Sequence, residues 1–352
     1  MHQKALQELI ELSNYIGSRC DYVQGGGGNI SVKLDNELMA VKASGYRLNQ
    51  VSLNDGYVIV KYNRIREFYE GVNYNQLLTN NYEKESLDVA ISNTVSSSEK
   101  VLRPSVEVGF HSILKKYVIH SHSVYTNILC CSQEGKKLTQ KLLSQYSPIW
   151  IPYINPGFLL TLKIKDEVEK ANKDIKVILM ENHGLIVTSD SFDEVVNIHD
   201  RVNQVIIEYF KLSEFPKVEL EEVEDGVFKS KTLFLIDYIK TNNVDDTYFE
   251  KYPLYPDQLV YINSNLNNDK KIVIDLQKGM VFYKNMTLTE AISIEETMLA
   301  YFYVLKMINY LKLKVKIMSE EGTNFIQNWE SEKYRKNLLK KHSTKKPIKK
   351  PS

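Results

Sequence analysis

The sequence predicts an α/β protein built as two units. Three observations carry this. Short runs rich in β-branched residues alternate with longer stretches of helical period. The 352 residues exceed a single domain of about 150 residues. Composition shifts to an acidic, aperiodic stretch after Leu212. Hydrophobic residues at 43% and charged residues at 25% match an ordinary globular chain, whereas a disordered one would be poorer in apolar residues.

The elements follow in order. Leu6, Leu9, Ile10, Leu12 and Ile16 recur at helical spacing, so residues 4–16 read as a helix. The run GGGG at 25–28 breaks the chain, and NISVKL (29–34) and LMAVKAS (38–44), parted by Asp35-Asn36-Glu37, read as a β-hairpin. YVIVKY (57–62) is a strand, and residues 64–100 are polar with no assignable period. Residues 106–116 read as a helix opened by Pro104-Ser105, then YVIHSHS (117–123) as a short buried strand. IWIPYI (149–154), IKVILME (175–181) and LIVTS (185–189) are further strands, and residues 191–212 a long amphipathic helix with Asp193 and Glu194 at its positive end.

Residues 214–226 read as a linker. A smaller α/β unit is expected at 227–335, with strands at 270–276 and 279–283 and a helix at 293–311. VILMENHGLIVTSD (177–190) and IVIDLQKGMVFYKN (272–285) share a strand–Gly–strand order in which Lys278 falls on His183. They read either as a degenerate repeat or as two unrelated hairpins. Residues 336–352 carry a block of Lys with two prolines and are expected to be a basic disordered tail.

Charge and cysteine usage exclude some classes. Lys plus Arg is 45 against 44 Asp plus Glu, a net +1, unlike the basic balance of a general nucleic-acid binder. No run reaches the roughly 18 apolar residues of a membrane span. The N-terminus MHQKALQELIELSNYIG has no continuous apolar stretch and is not a secretory signal. Cys20, Cys130 and Cys131, an odd count with an adjacent pair, make no disulfide framework. The expectation is a cytoplasmic protein with neither nucleic-acid nor membrane partners.

The chemistry-bearing residues gather around the histidines. His120 and His122 sit two apart on a predicted strand, so both imidazoles leave the same face. A catalytic zinc takes three protein ligands and keeps one position open. His183, at a Gly-bearing turn after a strong strand, is the candidate third ligand. Alone, the H-x-H pattern is also that of two surface histidines. Glu107, at the head of its helix, reads either as a carboxylate facing a metal or as a favourable charge in a first helical turn. The GGGGN run and Ala43-Ser44-Gly45 offer unobstructed backbone N–H groups, which with Ser105 suit a phosphate; each also reads as a plain turn.

Taken together and in order, GGGNIS, VKASG, PSVE, HSH, PYINPG and NHGLI resemble the class II aldolase/adducin family, over residues 20–212. Within it the chain is most similar to the aldolase part of the bifunctional rhamnulose-phosphate aldolase/short-chain dehydrogenase proteins. IVIDLQKGMVFYKN and NWESEKYRKNL resemble the segment that follows that part. No G-x-G-x-x-G follows a strand in the expected way, so the dehydrogenase is expected to be absent.

The resemblance implies a three-layer α/β/α domain at 1–213 with a central mixed, largely antiparallel sheet. It implies a zinc site of His120, His122 and His183, with another divalent metal as an alternative. Glu107 would be the catalytic acid/base and also a fourth metal ligand before substrate arrives. Gly28, Asn29, Ser44, Gly45 and Ser105 match phosphate-binding positions, and Tyr153 matches a tyrosine acid serving the aldehyde oxygen. Val106 stands where some members carry a second serine. The implied function is a zinc-dependent aldolase cleaving or forming a carbon–carbon bond in a sugar phosphate or related ketose through a metal-stabilised enediolate. The implied assembly is a homo-oligomer, a tetramer. The family also includes epimerases, dehydratases, decarboxylases and the non-catalytic adducin scaffold, so membership alone does not fix the reaction.

Overall fold

The hairpin expected at 29–44 forms the middle of the larger of two sheets. A computed structural model of the chain describes residues 2–77, 81–95, 102–245, 247–267, 270–276 and 278–328. The expected tail at 336–352, and all but the first residue of NWESEKYRKNL, lie outside these. The chain divides into two units: Met1–Ser213 with Met307–Lys316, and Glu214–Lys306 with the described residues from Ile317.

The first unit holds strands β1 Asn29–Lys33, β2 Leu38–Lys42, β3 Tyr57–Lys61, β4 Thr94–Val95, β5 Tyr117–Ser121, β6 Ile149–Ile151, β7 Val177–Met180 and β8 Gly184–Ser189. They form one sheet in the order β4-β3-β2-β1-β5-β8-β7-β6. Every neighbouring pair is antiparallel except β6 with β7. The helices are α1 Gln3–Gly17, α2 Tyr62–Glu70, α3 Tyr82–Ser92, α4 Val108–Ile113, α5 Val124–Cys130, α6 Gly135–Leu142, α7 Phe158–Ala171 and α8 Phe192–Phe210.

Register decides which side chains face which layer. Residues opposite one another in an antiparallel pair share a face. Ile186 lies opposite both His120 and Ile178, so these share a face with Val118, two residues from His120. On that face Phe110 of α4 and Leu160 and Ile164 of α7 pack against Val118, Ile178 and Ile186. Further along it, Met39, Val41, Val58 and Val60 meet Tyr62, Ile65 and Tyr69 of α2 and Tyr82 of α3. The opposite face carries Tyr117, bonded to Glu8 of α1 at 2.7 Å, and Ser121, bonded to His199 of α8 at 2.8 Å. Helices on both faces of a largely antiparallel sheet make the expected three layers.

The second unit has an antiparallel sheet of β9 Leu220–Glu224, β10 Val227–Ser230, β11 Ile272–Asp275 and β12 Met280–Lys284, in the order β11-β12-β10-β9. Its helical segments are α9 Leu233–Asn242, α10 Tyr248–Lys251, a π-helix Gln258–Asn263 running into α11 Ser264–Asn267, α12 Leu288–Tyr310 (which belongs to the first unit from Met307 on) and α13 Glu320–Asn328. The stretch expected as a linker at 214–226 therefore contains a strand. LEEVE has no apolar alternation to announce it; pairing with β10 sets it, and its exposed acidic side chains suit a sheet edge. Both segments of the suggested repeat form an antiparallel hairpin followed by a long helix, β7–β8–α8 and β11–β12–α12. Among the described residues no helix is long and apolar enough to cross a membrane.

Candidate metal centre

Strand β5 presents His120 and leads directly into His122 on the face covered by α4. The hairpin turn between β7 and β8 delivers His183, whose backbone N–H bonds the Met180 carbonyl at 3.2 Å. Gly184 then starts β8 directly against β5: a Cβ there would lie 2.4 Å from the Ser121 carbonyl. Only glycine permits that approach, so the His-Gly order of the turn has a steric cause. Asn182, in the left-handed conformation at φ 52°, is buried and donates through its side-chain amide to the Lys316 carbonyl at 2.8 Å.

The three imidazoles are buried and converge, their candidate ligand atoms all within 4.8 Å of one another. His120 Nδ1 lies 3.0 Å from the Leu185 carbonyl. A carbonyl only accepts, so Nδ1 carries the proton and Nε2 turns its lone pair toward the cluster. His120 Nε2 is 3.1 Å from His122 Nε2, and Glu107 Oε1 is 3.2 Å from His183 Nε2 and 3.5 Å from His120 Nε2. Two donors each roughly 2.0–2.1 Å from one tetrahedral ion stand about 3.3 Å apart. The three separations bracket that edge, and three nitrogens with one carboxylate oxygen form a donor set that suits zinc.

Glu107 sits at the N-cap of α4 but makes no side-chain cap bond. Its carboxylate turns away from its own helix toward the histidines. Burial works to raise that carboxyl, but the charges of His120, His183 and His122 and the hydrogen bond with His183 hold it well below the usual carboxylate range. Burial drives His120 the other way, well below the usual imidazole range. The two shifts favour an anionic Glu107 and a neutral His120, the forms that bind a metal.

The loops read as anion-binding come to one end of the β1–β2 hairpin. Asn29 lies opposite His120 and is buried. Its predecessor Gly28 has φ 68°, and a Cβ there would lie 2.9 Å from the His120 carbonyl and 2.8 Å from Val23 Cγ1. Gly28→Ala is expected to cost about 1–3 kcal/mol in urea unfolding, and an unchanged midpoint would refute the steric argument. Ser44 and Gly45 follow β2. The Ala43–Pro104 bridge and the 2.9 Å bond from Ser44 N–H to the Arg103 carbonyl set them beside Ser105. Ser105 Oγ accepts from the Glu107 N–H at 3.3 Å.

Tyr153 is not joined to this cluster by any bond among the described residues; its hydroxyl donates to Asn155 at 3.1 Å. Parallel pairing of β6 with β7 makes the Tyr153 loop leave the sheet at the same end as the His183 turn.

Residues 7–206 match the model of the Class II Aldolase and Adducin N-terminal domain. The chain belongs to the class II aldolase and adducin family. It is 29% identical over 222 residues to "Uncharacterized oxidoreductase YuxG" of Bacillus subtilis, covering 57% of this chain and 30% of that protein. It is 25% identical over 195 residues to the 3-oxo-tetronate 4-phosphate decarboxylase of Haemophilus influenzae, covering 51% of this chain and 75% of that protein. Among solved structures, the N-terminal class II aldolase domain of a Thermoplasma acidophilum protein is 26% identical, with a TM-score of 0.49, over 58% of this chain and 92% of that one.

Several supports of the site in this class II aldolase/adducin chain were not singled out by sequence reasoning. Ser121 and Ser123 alternate with the candidate ligand histidines on β5 and just past it, and bond His199 at 2.8 Å and Asn203 at 2.5 Å, one helical turn apart on α8. The sequence signal is a matched pair: H-S-H-S at period two, and His and Asn four apart on a helix. Behind His120, the buried His111 meets Ser31 Oγ through Nδ1 at 2.7 Å. Burial holds His111 down at about 3 against the pull of Glu107, and the charges of Lys33 and Lys42 push the same way as burial.

Proposed function

We propose that the chain is a zinc-dependent aldolase, a lyase that cleaves or forms a carbon–carbon bond in a sugar phosphate or related ketose. The observation that carries this is the meeting of one carboxylate, Glu107, with His183 and His120 at 3.2 and 3.5 Å, an acid–base group within a metal donor set. A divalent ion held by His120, His122 and His183 supplies Lewis-acid stabilisation for negative charge developing on a substrate oxygen. Glu107 takes or returns the proton at the neighbouring carbon, a contribution of roughly 10²–10⁴-fold.

Gly28, Asn29, Ser44, Gly45 and Ser105 hold the phosphate through backbone N–H groups and hydroxyls, with Val106 contributing no hydroxyl of its own. Tyr153 gives its proton to the aldehyde oxygen as the carbon–carbon bond forms, and takes the hydroxyl proton back on cleavage. A phenol is protonated near neutrality in any case, and burial raises this one further. A scaffold of the adducin kind has no need of three histidines with Glu107. The decarboxylase among the relatives has a phosphate in its substrate's name, which supports the anion-binding role of the loops and favours decarboxylation as the second reading.

Product analysis separates the readings. The zinc-loaded chain, given a panel of ketose 1-phosphates, is expected to yield two carbon fragments. Carbon dioxide from a phosphorylated oxo acid would establish the decarboxylase instead. An unbroken carbon skeleton would mean an epimerase or dehydratase. A chain that takes up no metal when zinc is supplied sinks all of these.

A further inference from the structure

His120 and His183 are held in different ways. The Leu185 carbonyl takes the Nδ1 proton of His120 and fixes its ring. His183 turns Nε2 toward Glu107, but its Nδ1 is buried with no hydrogen-bond partner among the described residues. An imidazole that binds a metal usually gives its other ring N–H to a carbonyl or carboxylate, which sets the ring. His183 lacks that support, so its aim rests on the backbone of the turn that carries it.

That turn is gripped from outside the β7–β8 hairpin. The chain returns to the first unit at Met307 and stays there to Lys316. Residues 314–316 lie antiparallel to 131–133. Val315 bridges Ser132, the Gln133 N–H bonds the Lys314 carbonyl at 2.8 Å, and the Lys316 N–H bonds the Cys131 carbonyl at 2.7 Å. Glu134 ties the far end by accepting the Lys314 N–H at 3.0 Å. At the near end the Lys316 carbonyl accepts the Asn182 amide at 2.8 Å, and the Lys316 ammonium lies 3.6 Å from Glu181. Both residues before His183 are thus tied to one segment.

The base of this strap is firm. Cys130, Cys131 and Ser132 are buried. Asn182 gives its backbone N–H to the Cys130 carbonyl at 2.9 Å, and its side chain hydrogen-bonds the Cys131 thiol. Cys130 ends α5, which starts at Val124, two residues after His122. One helix therefore leads from His122 to the contacts that fix the His183 turn. Asparagine suits position 182 twice: it tolerates the left-handed φ of 52°, and its amide reaches a carbonyl that glycine could not.

We infer that residues 314–316 are a strap that positions His183 for a metal ion: by holding Asn182 they fix the turn that alone aims an imidazole with no partner behind it. This rests on the proposed reading of His120, His122 and His183 as a metal centre. The strap lies beyond residues 7–206, which match the family domain, so the centre of this chain depends on a segment outside that domain.

The test uses the full-length chain with cobalt(II) as the probe, because its visible absorption reports both occupancy and coordination geometry. Asn182→Gly keeps the left-handed turn, which glycine adopts freely, and removes the amide. It is expected to weaken cobalt binding by roughly 10–100-fold, the usual effect of losing a group that orients a ligand, and to alter the spectrum of the bound ion. Hydrogen exchange in the metal-free chain is expected to quicken over 180–186. Glu134→Ala, which cuts only the far tie, is expected to act in the same direction with a smaller loss. Glu134→Gln, whose amide oxygen accepts the same bond, is expected to restore native binding. Native cobalt affinity and spectrum in Asn182→Gly overturn the inference even if that variant is less stable, because the strap then supports the fold alone. Should Asn182→Gly fail to fold, Glu134→Ala decides by the same criterion. A native chain that binds no cobalt defeats the metal centre and this inference together, whereas native binding matched by the variants defeats this inference alone.

Discussion

Glu107→Gln is expected to abolish turnover while leaving metal content unchanged at saturating zinc. The substitution keeps the shape of the side chain and removes its charge and its basicity. The three histidines proposed to hold the ion keep their places, since none of them depends on Glu107 for its fold: His120 is oriented by the Leu185 carbonyl, and His183 is set by its turn. What is lost is the proton transfer, a loss of roughly 10²–10⁴-fold in kcat. The comparison needs metal analysis and circular dichroism on the same preparation. Full activity in the variant would mean that another group moves the proton. A fall in metal content equal to the fall in rate would recast Glu107 as a ligand only.

His120→Ala is expected to lose metal and activity together. His120 is fully buried, so its removal also opens a space against Phe110, whose ring meets the imidazole edge-on at 5.7 Å, and leaves the Leu185 carbonyl without its donor. Part of the effect will therefore be on the fold. His122→Ala separates the two, because His122 sits at the edge of the cluster and is 8% exposed. The readout is thermal unfolding with and without zinc. A ligand present at a hundred times its Kd stabilises by about 2.7 kcal/mol. The native chain should show such a shift, and both variants should show none. One metal per chain retained in His122→Ala would break the assignment.

Much of the first unit was legible because its signals are local. The helix at 4–16, the hairpin at 29–44 and the strands at 57–62, 117–123, 175–181 and 185–189 all appear within a few residues of those limits, since period and turn chemistry fix them without reference to the rest of the chain. Residues 64–100 resisted for a physical reason. The buried stripe of α2 is Tyr62, Ile65 and Tyr69, in which two of three members are tyrosines, and among Asn, Arg and Glu that stripe does not stand out as apolar. It becomes a core face only against Phe158, which stacks on Tyr69 and Tyr82 at 5.7 and 5.0 Å. The helix that carries Phe158 was missed too, because Pro156-Gly157 reads as a loop until α7 is seen to start directly after it.

The sequence by itself determined the residue types and their phase. H-x-H on a strand puts two imidazoles on one face, and the glycines at 25–28 and 184 mark turns; that the backbone passes closely at Gly28 and Gly184 is seen only in the structure. Tertiary structure alone decided the convergence. Glu107 lies 76 residues before His183 in sequence, and nothing local says that its carboxylate turns from its own helix to meet that imidazole at 3.2 Å. The meeting follows from pairing β5 with β8 and packing α4 over the same face. Periodicity acts between near neighbours in the chain, whereas a metal donor set depends on distances that exist only once the sheet has closed.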